Sequence, residues 1–393
     1  MIARWIAGAR TGYCQADLSA KGGSLLSPRH WLLGGVLLLA LACSPPEPLR
    51  LGFVGGLSGR VADLGLAGRD GAQLAVDLRN QGGGVAGRRV VLLVKDDGQD
   101  PGQARRAAQA LLDQGVAALI GPMTSDMAMA VAPLMNQAQV VCVSPTATTE
   151  ALSGLDDHFF RVTSTTRAFA RANALYQIKT QRMRRVAAAY DTGNRSFSEN
   201  WLENFNQALA EGGGQVVARV AFKSGEDVSY AEVAGQLLAP RPDGVLIVAN
   251  SMDSALLCQQ IRKTDPSLPI TLSDWGANER LVELGGKAVE GVTVVQTFLR
   301  DSDSPRYQEF RRAYLERFGR EPGFAGVYAF EAANLVLEAL ERRGQAGGLK
   351  QTILAMRRFE GLQGPFILDE YGDVRRPQAS ISEVKGGKFQ VIE

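Results

Sequence analysis

Hydroxyl-bearing side chains follow two apolar runs of the sequence, at the point where each run ends. Residues 124–126 come shortly after the run 116–120, and residues 144–149 directly follow the run 140–143. A helical pattern starts behind each group, so each stretch is read as a strand, a hydroxyl-rich loop and a helix start. The free N–H groups and the positive dipole end of a helix start attract anions such as a carboxylate. The alternative is that these hydroxyls only cap their helices.

The two loops must be held side by side by the elements that precede them. Apolar strand-like runs alternate with helical patterns from residue 49 onward, and the alternation restarts after residue 162. This order predicts an α/β protein with two lobes of like design, each a doubly wound parallel sheet. In such sheets, loops at the carboxyl ends of the strands form the ligand site. The predicted strands cover residues 49–54, 89–94, 116–120, 140–143, 186–190, 216–222, 245–248, 270–272 and 292–295.

Composition excludes several classes of function. The chain has 393 residues, of which 45% are hydrophobic and 21% charged, the balance of a globular protein with room for two cores. From Cys43 onward the acidic and basic side chains nearly cancel, which argues against a nucleic-acid partner. His158 is the only histidine in that part, so we expect no histidine metal site. The glycines at 55, 56 and 59 have the wrong spacing for a dinucleotide cofactor, and no G-x-S-x-G motif surrounds the loop serines, so we expect no enzyme.

The N-terminus carries the pattern of an export signal. Residues 31–42 form an apolar run that follows two basic residues and is too short to cross a bilayer comfortably. Cleavage after Ala42 would leave Cys43 first, an arrangement that resembles the lipid-anchored proteins of the bacterial envelope. Cleavage by ordinary signal peptidase, which leaves a free thiol, is the alternative. Residues 1–42 are therefore assigned to a signal peptide with a start codon placed too far upstream, and residues 43–48 to the tether of a periplasmic or cell-envelope protein.

Several short motifs occur in a fixed order along the chain. They are G-L-S-G at 56–59, G-G at 82–83 with V-A-G at 85–87, D-D at 96–97 with D-P at 100–101, I-G at 120–121 with Ser125, S-P at 144–145 with A-T at 147–148, F-R at 160–161, and the glycine at 361 with G-P at 364–365. Taken together, from Leu49 to Val391, they resemble the leucine/isoleucine/valine-binding type of periplasmic substrate-binding protein, the receptors of ABC importers.

The resemblance implies two α/β lobes joined by three crossings, which close around a small ligand and present a surface to a membrane permease. The crossings are expected near residues 162–163, near 296–297 and just before Gly364. A monomer without cofactor or metal is implied, attached to the membrane only through a lipid on Cys43. The first lobe then consists of residues 49–162 plus 297–363, and the second of residues 163–296 plus 364–393.

Nine ligand-binding residues follow from the resemblance. In the family a serine, a threonine and backbone amides hold a carboxylate, which implicates the two loops described first. On the opposite lobe, Trp275 stands where the family has a glutamate for the ligand's ammonium group, and the neighbouring Asp274 is a carboxylate that can replace it. The alternative is that Trp275 packs the lobe and Asp274 caps a helix. The nine residues are Ser125, Thr146, Ala147, Thr148, Phe197, Asn250, Asp274, Trp275 and Leu64.

Three further residues are expected near the predicted cleft, and two cysteines are expected to be buried within the lobes. Phe324 and Tyr328 lie near another pocket position of the family, with core packing as the alternative. Asp126 would oppose an anion unless its side chain turns to solvent or helps to hold an amine. Cys142 and Cys258 are expected to be free, buried thiols, because a disulfide between the lobes would oppose their motion.

These expectations describe a receptor without enzymatic activity. It would capture a small carboxylate-bearing solute, an amino acid of the branched-chain type, by hinge closure and deliver it to an ABC permease. The alternative is a sensor of the same fold that responds to an amide or an amino acid and signals to a partner protein. The sequence has neither a DNA-binding helix-turn-helix nor a spanning helix after Cys43, which argues against a built-in output.

Overall fold

The structure is a computed structural model that describes residues 46–296, 298–343, 347–376 and 379–393. The predicted signal peptide, Cys43 and the start of the tether lie outside these residues. None of the described helices is long and apolar enough to cross a membrane. The strands are β1 Leu49–Gly55, β2 Val90–Asp96, β3 Ala118–Ile120, β4 Val141–Ser144, β5 Phe159–Arg161, β6 Arg185–Asp191, β7 Gln215–Phe222, β8 Gly244–Val248, β9 Ile270–Leu272, β10 Thr293–Gln296, β11 Arg358–Gly361, β12 Gly364–Leu368, β13 Val374–Arg375, β14 Ser380–Lys385 and β15 Lys388–Val391. The helices are α1 Ala62–Gln81, α2 Pro101–Asp113, α3 Ser125–Ala138, α4 Thr166–Lys179, α5 Arg195–Glu211, α6 Tyr230–Leu238, α7 Ser251–Thr264, α8 Glu279–Gly285, α9 Pro305–Phe318, α10 Phe324–Arg342 and α11 Leu349–Met356.

Five parallel strands form the first sheet, in the order β2-β1-β3-β4-β5. Successive side chains of these strands enter different cores. Phe53 and Ile120 pack in a core shared with α1 and α10, whereas Val54 and Leu119 pack in another shared with α2 and α3. Helices therefore cover both faces, which explains why the central strands are apolar without alternation. The predicted doubly wound parallel sheet is confirmed for the first lobe.

The second sheet contains seven strands, in the order β15-β14-β10-β9-β8-β6-β7. The five strands predicted for this lobe, β6 to β10, are parallel, and β14 and β15 add an antiparallel edge. Leu246 and Val295 pack in a core with α4 and α5, whereas Ile247 and Val294 pack in a core with α6 and α7. The second lobe thus repeats the design of the first, as predicted.

A third, antiparallel sheet of β11, β12 and β13 was not predicted. It is bound to the first lobe, because Arg161 forms an ion pair of 2.8 Å with Asp373. Gly372 of the same segment lies against the ring of Phe160 with a φ of +88°. A Cβ at position 372 would lie 2.4 Å from that ring, so both the backbone conformation and the close approach require glycine.

The chain passes between the two large sheets at three places. It leaves the first sheet after β5, leaves the second after β10, and enters the second again at β14. The prediction placed the last crossing just before Gly364 and all of residues 364–393 in the second lobe. The crossing lies instead between β13 and β14, because β12 pairs with β11 and β13 pairs with β12, and neither strand pairs with the second sheet. Thr297, at the second crossing, lies outside the described residues.

Candidate ligand-binding site

The first hydroxyl-rich loop joins β3 to α3, beside the loop that follows β4. Ser125 is the first residue of α3 and is buried, and its Oγ accepts a hydrogen bond of 3.3 Å from the N–H of Thr149. Thr124 precedes the helix without capping it, and its hydroxyl donates to Gln99 instead. The capping alternative is therefore wrong for this loop, whose hydroxyls contact other loops.

Two of the four hydroxyls of the second loop hold the two loops together, whereas the hydroxyl of Thr149 caps the short helix that follows, as the alternative proposed. Ser144 accepts a hydrogen bond of 3.0 Å from the N–H of Ala147 and donates one of 2.6 Å to a carbonyl of the first loop. Thr146 also donates to a carbonyl of the first loop. Thr148 accepts a hydrogen bond of 2.9 Å from the hydroxyl of Thr166, at the start of α4 in the second lobe. The loop geometry is thus fixed from both sides.

Backbone amides are among the donors that these loops leave available. The N–H groups of Ser125, Thr146 and Thr148 donate no hydrogen bond to any other described residue. The amide of Ser125 also belongs to the first turn of α3, where the helix dipole places partial positive charge. Free amides in adjacent loops at the positive end of a helix suit a carboxylate.

A narrow cavity between the lobes begins at these loops. Thr146 and Thr148 line it from the first lobe and Asp274 from the second, so the structure brings three of the nine predicted residues together there. Its volume is about 20 Å³, enough for one water molecule and too small for any amino acid. A ligand can enter only when the walls move apart. The lining residues are Thr146, Thr148, Thr163, Phe169, Asp274, Ala277, Gln296, Phe298, Phe324 and Tyr328.

Among the described residues that line this cavity, Asp274 is the only acidic or basic one. It follows β9, and its Oδ1 accepts a hydrogen bond of 3.0 Å from Nε1 of Trp201. Burial raises the pKa of this carboxyl from 3.8 to about 7, against the opposing effect of the Trp201 hydrogen bond. The residue that caps α8 is Asn278, so the capping alternative for Asp274 is wrong. A buried carboxyl without a nearby cation favours a ligand that brings a positive charge.

Trp275 and Phe197 lie behind the cavity wall and not in its lining. Their rings meet edge to face with centroids 5.5 Å apart, and both side chains are buried in the core. In this closed arrangement Trp275 therefore packs within its lobe, which was the alternative to a direct contact with the ligand. Ser125 and Ala147 are likewise buried within the two loops, next to residues that do line the cavity.

Asn250 and Leu64 lie elsewhere. The side chain of Asn250 accepts a hydrogen bond of 3.0 Å from the N–H of Asp253 and donates one of 2.7 Å to its carboxylate, so it caps α7. Leu64 lines a separate, larger surface cavity of about 640 Å³. Neither side chain takes part in the interlobe cavity of this structure.

Residues at the crossings were missed by the sequence analysis. Thr163 follows β5 at the first crossing, and Gln296 and Phe298 flank the second. Their position in the sequence could have identified them as lining residues, because residues that cross between two lobes lie at the floor of the cleft. Phe324 and Tyr328, proposed near a pocket position, do line the cavity, and their rings lie 6.4 Å apart.

Asp126 joins the lobes through two helix starts. Its carboxylate accepts hydrogen bonds from the N–H groups of Arg195, at 2.9 Å, and Ser196, at 2.7 Å, the first residues of α5. In return, Asn194 accepts a hydrogen bond of 3.1 Å from the N–H of Asp126. We call Asp126 and Asn194 the capping pair, because each caps a helix of the opposite lobe. These bonds require a closed cleft, and they explain how an acidic residue is tolerated beside an anion site.

A second set of contacts closes the cleft near the start of α1. Arg60 forms an ion pair of 2.9 Å with Asp253. Asp63 accepts hydrogen bonds from Ser251, at 2.6 Å, and from Asn278, at 2.9 Å. Arg60 and Asp63 belong to the first lobe and their partners to the second. Together with the capping pair, these contacts place the lobes in a closed arrangement.

Other reactive groups lie away from the cavity. Cys142 and Cys258 are free and buried, as predicted. His158 lies near the end of the first sheet, where its Nδ1 is 3.0 Å from the side-chain oxygen of Asn136. Within the part of the chain that the structure describes, no cluster of His, Cys, Asp and Glu is fit to hold a metal ion.

Two doubly wound lobes that close over a cavity at the carboxyl ends of their strands define the type I class of periplasmic binding proteins. The chain belongs to the periplasmic binding protein family, which it matches over residues 48–388, and this confirms the family predicted from the motifs. It is similar to the Leu/Ile/Val-binding protein BraC3 of Rhizobium johnstonii, with 26% identity over 92% of this chain and 99% of that protein.

Solved structures share this architecture. The leucine binding protein LivK of Thermotoga maritima has a TM-score of 0.81 and 25% identity, covering 88% of this chain and 98% of that one. A solute binding protein of R. palustris in complex with benzoate has a TM-score of 0.80 and 21% identity, covering 88% and 95%. At 21% identity, the similarity to the R. palustris protein shows the fold alone.

Proposed function

We propose that this protein is the extracytoplasmic receptor of an ABC importer and binds an amino acid of the branched-chain type between its lobes. The observation that carries the proposal is the pairing of free amides on one wall with the Asp274 carboxyl on the opposite wall. An amino acid presents a carboxylate to the first group and an ammonium to the second. Relatives named for binding leucine, isoleucine and valine support this choice.

In the proposed complex, the amides of Ser125, Thr146 and Thr148 hold the ligand's carboxylate together with the hydroxyl protons of Ser125 and Thr148, and Asp274 accepts from its ammonium group. The ligand's side chain lies against an apolar wall. Closure then excludes water, which strengthens both polar contacts. The apolar wall consists of Phe169, Phe298, Phe324 and Tyr328, supported from behind by Ala147, Phe197 and Trp275.

Calorimetric titration with L-leucine tests this function, using protein that has been unfolded and refolded to remove any bound ligand. An ammonium group beside Asp274 lowers the pKa of its carboxyl, which is about 7 without ligand. We therefore expect about half a proton to be released per leucine at pH 7, seen as a dependence of the heat on the buffer. Absence of binding by leucine, isoleucine and valine would overturn the proposal.

An aromatic carboxylate is the second candidate ligand. It is favoured by the four aromatic rings among the lining residues, and the R. palustris protein of the same fold holds benzoate. Such a ligand has no ammonium group, so it would raise the pKa of Asp274 and binding would take up protons. The sign of the proton exchange therefore distinguishes the two ligand classes.

We propose a first lobe of residues 49–162 with 298–376 and a second of residues 163–296 with 379–393, whose closure presents a joint surface to the permease. The protein acts as a monomer in the periplasm or cell envelope, anchored by a lipid on Cys43. Mass spectrometry of the mature N-terminus tests the anchor, since an unmodified N-terminus would indicate a free periplasmic protein.

A further inference from the structure

We infer that Arg300 is a positioning residue of the ligand site, an inference that rests on the proposed function of the interlobe cavity. Arg300 follows the second crossing between the lobes and does not line the cavity. Its side chain is only 16% exposed, and three of the five residues that it bonds to or stacks on line the cavity.

The guanidinium of this arginine makes three hydrogen bonds. Its Nη1 donates to Oε1 of Gln296 at 2.7 Å, and its Nη2 donates to the carbonyl of Ala277 at 2.9 Å. Its Nε donates at 2.7 Å to Glu279, the first residue of α8. It also lies over two rings, with the centroids of Phe298 at 5.1 Å and Phe389 at 4.3 Å. One side chain thus holds three lining residues, namely Gln296, Ala277 and Phe298.

The contact with Gln296 decides which group its amide can offer to a ligand. Nε2 of Gln296 donates to the hydroxyl of Ser382 at 2.5 Å, while Oε1 accepts from Arg300. With both ends engaged the amide cannot flip, and one N–H remains for a ligand. Without Arg300, the amide oxygen is free to turn, which would replace a donor with an acceptor on the cavity wall.

The contact with Ala277 holds the loop that carries Asp274. Residues Asp274 to Ala277 form a single tight turn, closed by a hydrogen bond of 3.1 Å from the N–H of Ala277 to the carbonyl of Asp274. A shift of Ala277 would therefore move the carboxyl relative to the opposite loops. Glu279, held by the same guanidinium, lies against Gly323, the residue before the lining residue Phe324.

Arginine is the side chain that this arrangement requires. Its planar group joins three acceptors and stacks on rings, whereas a lysine would keep the charge but could satisfy fewer of these partners. We therefore expect Arg300→Met to weaken L-leucine binding at least tenfold in calorimetry, and Arg300→Lys to regain less than half of that loss on a logarithmic scale. Arg311→Met is the matched control, because Arg311 pairs with Glu321 and forms no hydrogen bond or ion pair with a described lining residue. It should change the affinity less than twofold.

A double-mutant cycle separates positioning from a merely structural role, with urea unfolding used to verify that each variant is folded. If Arg300 acts through Gln296, the loss caused by Arg300→Met should be at least threefold smaller in a Gln296→Ala background. Equal losses in both backgrounds, or an unchanged leucine affinity in Arg300→Met, would overturn the inference. In that case, binding of leucine by the wild-type protein would leave the proposed function intact. Wild-type protein that binds neither L-leucine nor benzoate would overturn both.

Discussion

Replacing Asp274 with asparagine should change the pH dependence of stability in the unliganded protein. The amide has nearly the same shape and its oxygen can still accept the hydrogen bond from Trp201, so the substitution removes the titration and little else. Comparing Asp274→Asn with the wild type therefore isolates the titration of this one carboxyl, because all other titratable groups contribute equally in both proteins.

The sign and size of the effect follow from the raised pKa. Below about pH 3 the carboxyl is protonated in both the folded and the unfolded chain and adds no pH dependence. As the pH rises, the unfolded chain loses its proton first, so the free energy of unfolding falls until the folded chain ionises near its pKa of about 7. Between pH 5 and pH 8, wild type should lose about 2.5 kcal/mol relative to Asp274→Asn.

Urea unfolding followed by tryptophan fluorescence measures this difference at pH 5, 6, 7 and 8 without ligand. Asp227→Asn, at an exposed aspartate, is the control and should follow wild type at each pH. A gap between wild type and Asp274→Asn that is the same at pH 5 and pH 8 would refute the reasoning, because Asp274 would then ionise as it does in the unfolded chain.

Three other changes test the site and its closure, each read by calorimetric titration. Asp126→Ala removes two charge-assisted hydrogen bonds of the closed form, so leucine binding should weaken by about 10- to 100-fold with little change in unfolding. Ser125→Ala with Thr148→Ala should weaken binding by several kcal/mol, at roughly 1.5–3 kcal/mol for each hydrogen bond to a charged group. Phe324→Ala should join the small cavity to the larger one that Phe324 also lines and improve binding of L-phenylalanine relative to leucine. Leu64→Ala, which borders only the larger cavity, should leave that ratio unchanged.

Different results would contradict each step. Unchanged leucine affinity in Asp126→Ala would exclude the capping pair from the ligand-bound form. A loss below about 1 kcal/mol in the double hydroxyl variant would mean that the amides alone hold the carboxylate. An unchanged preference in Phe324→Ala would show that this ring does not limit ligand size.

Local patterns made the two lobes and the first-lobe loops predictable. Strands buried on both faces appear as continuous apolar runs, and the loops at 124–126 and 144–149 follow directly from where those runs end. The role of Asn250 could also have been predicted from a local pattern. An asparagine three residues before Asp253 is typical of a helix cap, and the structure uses it in that way.

Contacts between distant parts of the chain account for what was missed. Asp126 and Asn194 are 68 residues apart, and no periodicity relates them, so their exchange of caps depends on how the lobes meet. The pairing of β12 with β11 is a local hairpin, but the lobe to which it belongs is set by distant contacts such as the ion pair of Arg161 with Asp373. The lining residues at the crossings likewise become neighbours only when both lobes are in place.

A crystal structure with L-leucine tests the central claim most directly. We predict an enlarged interlobe cavity with leucine between Thr148 and Asp274. Its carboxylate should lie within about 3.2 Å of the N–H nitrogens of Ser125 or Thr148, and its ammonium within the same distance of the Asp274 carboxylate. Leucine bound in the outer cavity beside Leu64, or with its ammonium turned away from Asp274, would contradict it.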